Sequence, residues 1–152
     1  MKGHCLCGHV SFEITAELPP VYQCHCSLCR RVSGSSSNSA LIIAAPNFRW
    51  LSGQSGIRSF STESGFKSEF CQICGSPVPN INASGNAYWV PAGLLSEPVD
   101  TSVLAHVYSD SHASWDVGFL SDSLAKFAEM PSEQQWSELC RQHVHDKLAN
   151  KA

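Results

Sequence analysis

Seven of the chain's eight cysteines fall in three tight groups, Cys5-Leu6-Cys7, Cys24-His25-Cys26-Ser27-Leu28-Cys29 and Cys71-Gln72-Ile73-Cys74. No other feature constrains the fold as strongly, because sulfurs clustered this way must converge on something. The opening residues, Met1-Lys2-Gly3-His4-Cys5-Leu6-Cys7, lack the charged end, apolar stretch and small-residue cleavage site of a secretory signal, so the expectation is a cytoplasmic protein. In a reducing compartment clustered cysteines more often bind metal than pair as disulfides, and adjacent CxC bridges would be strained. Eight cysteines in 152 residues also falls short of the roughly 8–10% that marks a disulfide scaffold. A tetrahedral zinc takes sulfur at about 2.3 Å, and a CxxC turn delivers two sulfurs to one point because the chain reverses between them. Cys71-Gln72-Ile73-Cys74-Gly75 is such a knuckle, with Gly75 free to take the left-handed conformation a tight turn requires.

Seven divides as four plus three. That count allows one closed four-sulfur zinc and one three-sulfur site whose fourth position stays open to water or substrate, which separates a chemically useful zinc from a staple. A CxC pair and a CxxC pair each offer two sulfurs, so Cys5, Cys7, Cys71 and Cys74 are the natural four and Cys24, Cys26 and Cys29 the remaining three. Other groupings stay open at this point. The four would close a loop of about 65 residues, where a metal clip restricts the unfolded chain strongly. His25, between Cys24 and Cys26, points away from the metal if the segment is extended. Two alternatives stand beside this reading. Both sites could be structural, with His4, His9, His106 or His112 closing the three-sulfur group, or the cysteines could hold an iron–sulfur cluster, which ligand type alone does not separate from zinc.

Composition narrows the class. A net charge of -3 gives no positive field to hold a phosphate backbone, which argues against nucleic acid. With 43% hydrophobic and 15% charged residues the chain can bury one real core. Its apolar runs, such as residues 41–45, are far shorter than the ~20 residues of a membrane span.

Val10, Phe12 and Ile14 alternate with polar residues, the period of a half-buried strand. Further strands are expected at 40–43, 48–51, 58–61, 67–70, 87–90 and 103–108, punctuated by Gly, Pro, Ser and Asn. Such close spacing without intervening helices predicts an antiparallel, mainly β architecture. One helix follows Pro131-Ser132. Ser132 and Gln135 fit a capping box, and Trp136, Leu139, Cys140, His143, Val144 and Leu148 recur at helical spacing, so the helix packs on the sheets as a buttress. Residues 121–129 read as a short helical turn. Trp89 is expected in the core, and Cys140, His143 and His145 are expected to pack rather than bind metal.

Taken together, Gly3-His4-Cys5-Leu6-Cys7-Gly8, Cys24-His25-Cys26-Ser27-Leu28-Cys29-Arg30-Arg31-Val32-Ser33-Gly34, Phe70-Cys71-Gln72-Ile73-Cys74-Gly75-Ser76 and Val90-Pro91-Ala92-Gly93-Leu94-Leu95, with Trp115 and Glu129-Met130-Pro131, resemble the glutathione-dependent formaldehyde-activating family. The resemblance implies a zinc-bound antiparallel β-sandwich of the β-tent type over residues 1–131, with residues 132–152 as a helical extension packed on the same domain. It implies a structural zinc on Cys5, Cys7, Cys71 and Cys74 and an active zinc on Cys24, Cys26 and Cys29, which become the catalytic set. The implied reaction is reversible addition of the glutathione thiol to formaldehyde, a carbon–sulfur lyase activity with glutathione as cosubstrate. Three thiolates around a doubly charged ion make a weak Lewis acid, which favours sulfur activation over carbonyl polarisation.

Arg30 and Arg31 follow the open-site cysteines, where their charge can meet a glutathione carboxylate. Ser33 and Gly34 begin a small polar stretch able to bring N–H groups close to a ligand. Relatives often carry a lysine in a Ser-Lys-Ala-Pro-Trp-like segment where this chain has Ser111-His112-Ala113-Ser114-Trp115, so a titratable group replaces a fixed cation at His112, beside Trp115. The expected partners are a small-molecule thiol and aldehyde, with no nucleic acid and no membrane. Homo-oligomer formation is left open. Two competing readings are a non-catalytic zinc scaffold for a protein partner, which a histidine closing the second site would favour, and thiol redox chemistry at a reactive Cys140.

Overall fold

Val10, Phe12 and Ile14 are fully buried, and the alternation they define lies in and beside β2 (Ser11–Ile14). In the computed structural model β2 pairs antiparallel with β1 (Lys2–His4) on one side and β5 (Phe48–Ser52) on the other. The described residues are 1–149, with the side chains of the last helix described as far as His143. Val144, His145 and Leu148 therefore lie outside the described side chains, and residues 150–152 of the expected extension lie outside the described residues.

A second sheet of six strands runs in the order β11 (Ala125–Phe127), β10 (Val103–Val107), β3 (Val21–Cys24), β4 (Asn38–Ala44), β9 (Ala87–Pro91) and β8 (Asn80–Ile81). The two sheets meet face to face. Phe12, Ile14 and Phe48 from the first pack with Val21, Leu41, Ile43 and Val90 from the second, and Phe12 stacks on Phe48 with ring centroids 5.4 Å apart. Each such buried side chain stabilises the sandwich by about 1.5–3 kcal/mol. A separate hairpin of β6 (Ile57–Ser61) and β7 (Lys67–Cys71) ends on the cysteine Cys71 and brings it to the first cysteine pair.

The expected mainly β fold with a C-terminal helix is present, and each of the seven expected strands has a counterpart. The pairing is antiparallel except at β10, which runs parallel to both β3 and β11. The reason lies in its composition: Leu104, Ala105, His106 and Val107 are all buried, so β10 is covered on both faces, as parallel strands are. Residues 121–129 do not form a helical turn. The helical part is a 3-10 turn at Gly118–Ser121, and the chain then joins the sheet edge as β11, with Lys126 Nζ anchored to the Asp122 carbonyl at 2.7 Å and to its carboxylate at 2.9 Å. Also unforeseen is α1 (Ser27–Ser33), which begins within the second cysteine group.

The last helix, α2 (Glu133–Ala149), begins as its sequence requires. Ser132 N–H donates to Gln135 Oε1 at 2.9 Å, and Gln135 N–H donates to Ser132 Oγ at 3.3 Å, completing the capping box. Trp136, Leu139, Cys140 and His143 are half-buried, and Trp136 meets Tyr22 of β3 edge-on at 5.8 Å.

Gly53 joins β5 to the segment before β6 with φ 72, and a Cβ there would collide with the His9 carbonyl. Because the neighbour is backbone, it cannot rotate away. Gly53→Ala is expected to lower stability by about 2–4 kcal/mol, combining left-handed strain with overpacking, as read from urea unfolding.

Candidate metal centres

The two cysteine groups come together as four and three. The sulfurs of Cys5, Cys7, Cys71 and Cys74 lie within 4.8 Å of one another, as do those of Cys24, Cys26 and Cys29. Within the first group, Cys5 and Cys7 sulfurs are 3.6 Å apart and Cys7 and Cys71 sulfurs 3.9 Å. A tetrahedron with 2.3 Å arms has edges of about 3.8 Å, so the donor set fits a single zinc ion. Disulfides are ruled out by the same distances, since a bond needs about 2.05 Å, and all eight cysteines are free. Sulfurs this close also converge on one ion rather than on the separate irons of a cluster.

Local backbone makes the first site. Gly8 N–H closes onto the Cys5 carbonyl and Gly75 N–H onto the Cys71 carbonyl, both at 2.9 Å, and Gly75 takes φ 73 as the knuckle requires. Val10 N–H donates to Cys5 Sγ at 3.3 Å. The Ser76 hydroxyl, 3.4 Å from Cys74 Sγ, and the Ser76 N–H hold the Cys74 thiol down to about 5, so this ligand favours the thiolate that a metal needs. Leu6 and Ile73 form the exposed tips of the two turns.

At the second site, Cys24 ends β3, Cys26 caps α1 and Cys29 lies in its first turn. Cys29 N–H donates to Cys26 Sγ at 3.4 Å. Contact with the Cys29 thiol holds Cys24 down to about 6, and the same contact pushes Cys29 up, so the three sulfurs share protons that a bound cation would displace. No histidine, aspartate or glutamate among the described residues joins these three sulfurs. His4, His9, His106 and His112, the candidates for closing the site, are all outside the group.

His25 does turn away from the sulfurs, into a buried chain. Its Nε2 lies 2.9 Å from His106 Nδ1, and His106 Nε2 lies 2.8 Å from Asp122 Oδ2. Lys126 and then His106 hold the Asp122 carboxyl down to about 2, so it is ionised and accepts from His106 Nε2–H. One hydrogen bond thus joins His25 to His106, and His25 Nδ1 is buried without a hydrogen-bond partner, 3.9 Å from Asp116. Phe119 stacks on His25 at 4.0 Å and touches the rings of His106 and His112.

The three-sulfur site opens on a cavity of about 730 Å³, whose walls include all three cysteines. Sequence reasoning missed most of this wall, which carries Tyr22, Phe66, Tyr108 and Lys67. Trp89, expected in the core, is half-buried: it packs against the buried cluster of Tyr22, Cys24 and Cys29 and also lines the cavity, its cross-strand partner being the exposed Ile42. Tyr22 was detectable, since it lies two residues before Cys24 on the same strand and so on the same face.

None of the expected ligand-binding residues is among the residues that line this cavity. Arg30 donates from Nε to the His25 carbonyl at 3.2 Å and from Nη2 to the Ser111 carbonyl at 3.3 Å, strapping the cysteine loop to the cavity rim. Arg31 is exposed on α1. Ser33 Oγ donates to the carbonyls of Arg30 and Ser37, and Gly34 N–H also closes onto Arg30, so both end the helix. His112 Nδ1 lies 2.6 Å from the Ser109 carbonyl, and Trp115 is 70% exposed. Cys140 is half-buried and burial pushes its thiol up, the reverse of a reactive nucleophile. No helix among the described residues is long and apolar enough to cross a membrane.

No curated protein matches this chain. Among solved structures, the crystal structure of a Rhodobacter sphaeroides protein is similar at 22% identity and a TM-score of 0.55, covering 84% of this chain and 99% of its own, a likeness in fold. The family model for the glutathione-dependent formaldehyde-activating enzyme matches residues 1–111, a span that holds all seven clustered cysteines and ends before Trp115 and Glu129-Met130-Pro131. Matched over well more than half its length, and with those cysteines gathered into its two candidate metal sites, the chain belongs to the glutathione-dependent formaldehyde-activating enzyme family.

Proposed function

We propose that the protein catalyses reversible carbon–sulfur bond formation between a thiol and a small aldehyde, with glutathione and formaldehyde as the reference pair, in the manner of a carbon–sulfur lyase. One observation carries the reading: three sulfurs converge in the wall of a large cavity with no fourth described side chain to close the set. Cys5, Cys7, Cys71 and Cys74 would hold a structural zinc, and Cys24, Cys26 and Cys29 an active one. When bound at the second site, zinc supplies a position that takes a thiol sulfur and favours its thiolate form.

The step itself is balanced without an outside oxidant. The sulfur attacks the aldehyde carbon, a carbon–sulfur bond forms as the carbonyl π bond opens, and the proton lost from sulfur ends on the oxygen. Tyr108 supplies a donor at the cavity wall. Burial, and then the nearby Cys24 and Cys26 sulfurs, push its phenol up, so the Oη proton is retained and can be donated to the oxygen. Tyr108→Phe is therefore expected to lower kcat about tenfold, the worth of one hydrogen bond near 1.4 kcal/mol, with little change in fold.

The test is exchange spectroscopy with carbon-13 formaldehyde and glutathione. The protein is expected to speed interconversion of free and adduct formaldehyde in proportion to its concentration. Absence of any acceleration by the two-zinc protein at millimolar glutathione would overturn the reading.

A further inference from the structure

We infer that the cavity beside the three sulfurs binds a reactant carrying an uncharged aromatic or branched apolar group. The inference rests on the reaction proposed above and adds the class of reactant that its site selects.

Four rings from four separate segments face this space. Tyr22 comes from β3, Phe66 from the end of the β6–β7 turn, Trp89 from β9 and Tyr108 from just beyond β10. All four belong to the apolar cluster that includes Cys24 and Cys29, so the rings and the sulfurs form one surface. Tyr108 reaches it at a conformational cost. Its φ of 55 makes it the only non-glycine residue among those described with a left-handed backbone, a conformation that a bulky side chain adopts only where surrounding structure enforces it. Ile81 and Met130 extend the apolar wall.

Charge points the same way. Lys67 is the one lysine or arginine among the described lining residues, and it is already ion-paired with Glu69. Arg30 is not among the lining residues, and two of its guanidinium N–H groups already brace carbonyls. A ligand carboxylate lying against the rings would therefore be desolvated with no unpaired lysine or arginine among the described lining residues to meet it. Formaldehyde, with a single carbon, is too small to touch rings spread around about 730 Å³, a volume in the range of pockets that enclose drug-sized molecules. The apolar group can arrive on the aldehyde or on the thiol, since either would place it over the same rings.

The experiment uses the two-zinc protein and begins with benzyl alcohol, an unreactive carrier of an aryl group, titrated against amide and indole NMR signals. Saturable shifts at Trp89, Tyr108 and Phe66 are expected, and Met130→Asp, a change at a partly exposed wall position, is expected to weaken binding at least tenfold. Two exchange assays then separate the sources. Benzaldehyde with glutathione, or formaldehyde with benzyl mercaptan, is expected to show kcat/KM at least tenfold above formaldehyde with glutathione, and the faster pair identifies which reactant carries the group. Absence of benzyl alcohol binding, with aryl reactants no faster than the reference pair, would overturn the inference while leaving the reaction intact. Saturable benzyl alcohol binding without exchange of any pair would instead support the ligand class and overturn the reaction.

Discussion

Replacing Cys71 with serine is expected to abolish cooperative unfolding of this protein at room temperature, even with zinc in excess. Cys71 is fully buried, ends β7 and packs with Cys5, Val10 and Val78 in a cluster that has few other apolar members. Its sulfur joins the β6–β7 hairpin to the start of the chain, so losing it releases both the hairpin and the Cys5–Gly8 turn. Structural zinc contributes about 10–16 kcal/mol of folding free energy in small zinc domains, against a total stability of about 5–15 kcal/mol for an ordinary domain. Three thiolates no longer close the site around the ion, and losing most of the former is comparable to the whole of the latter. A strong chelator should reproduce the effect in the unaltered protein. Circular dichroism across a urea series reads both, and an unfolding midpoint for Cys71→Ser equal to that of the parent would show that the first site is not a structural clip.

Cys26→Ser should do the opposite, removing activity while sparing the fold. Cys26 is partly exposed and serves as the N-cap of α1, accepting the Cys29 N–H. Serine is itself a favoured N-cap, and its oxygen can accept the same bond, so α1 should persist with a stability change within about 1 kcal/mol. As a zinc ligand, however, the hydroxyl is a poor substitute for a thiolate. Loss of a thiolate-binding centre worth about 4 kcal/mol in the transition state corresponds to about a thousandfold in rate. The expected pattern is one retained zinc, a normal urea transition and exchange activity near background. Near-normal exchange from a Cys26→Ser protein carrying one zinc would move the chemistry elsewhere.

Much of the fold was legible in the residues. The order CxC, CxCxxC, CxxC carries the division into four and three, because paired sulfurs on short turns have little freedom in where they converge. Alternation revealed β2, and Ser132 with Gln135 revealed where α2 begins. Other elements left weaker traces. The start of α1 was hidden because its cap is a cysteine, which is not among the usual N-cap residues. The parallel placement of β10 has a trace in its unbroken apolar run, yet only the tertiary fold decides which strands flank it. Three residues are too few for β11 to display a period.

The site was only half visible for a related reason. Metal ligands announce themselves by spacing, whereas the cavity wall is assembled from segments far apart in sequence. His25 and His106 are 81 residues apart and bonded, and no local pattern joins them to each other or to Asp122. Tyr108 likewise reaches Cys24 only through the pairing of β10 with β3, and Phe66 reaches it from the separate β6–β7 hairpin. Arg30 had a visible signal in its position after Cys29, but its guanidinium braces the loop through carbonyls, a use that sequence does not distinguish from ligand binding.

X-ray absorption at the zinc edge tests the central claim most directly. Seven thiolates shared by two ions should give an average of about 3.5 sulfurs per zinc in thiol-free protein. Saturation with a substrate thiol should raise that average to about 4 as the open position fills. Two zinc ions per chain with four sulfurs each before any thiol is added, or a single ion in total, would contradict the account.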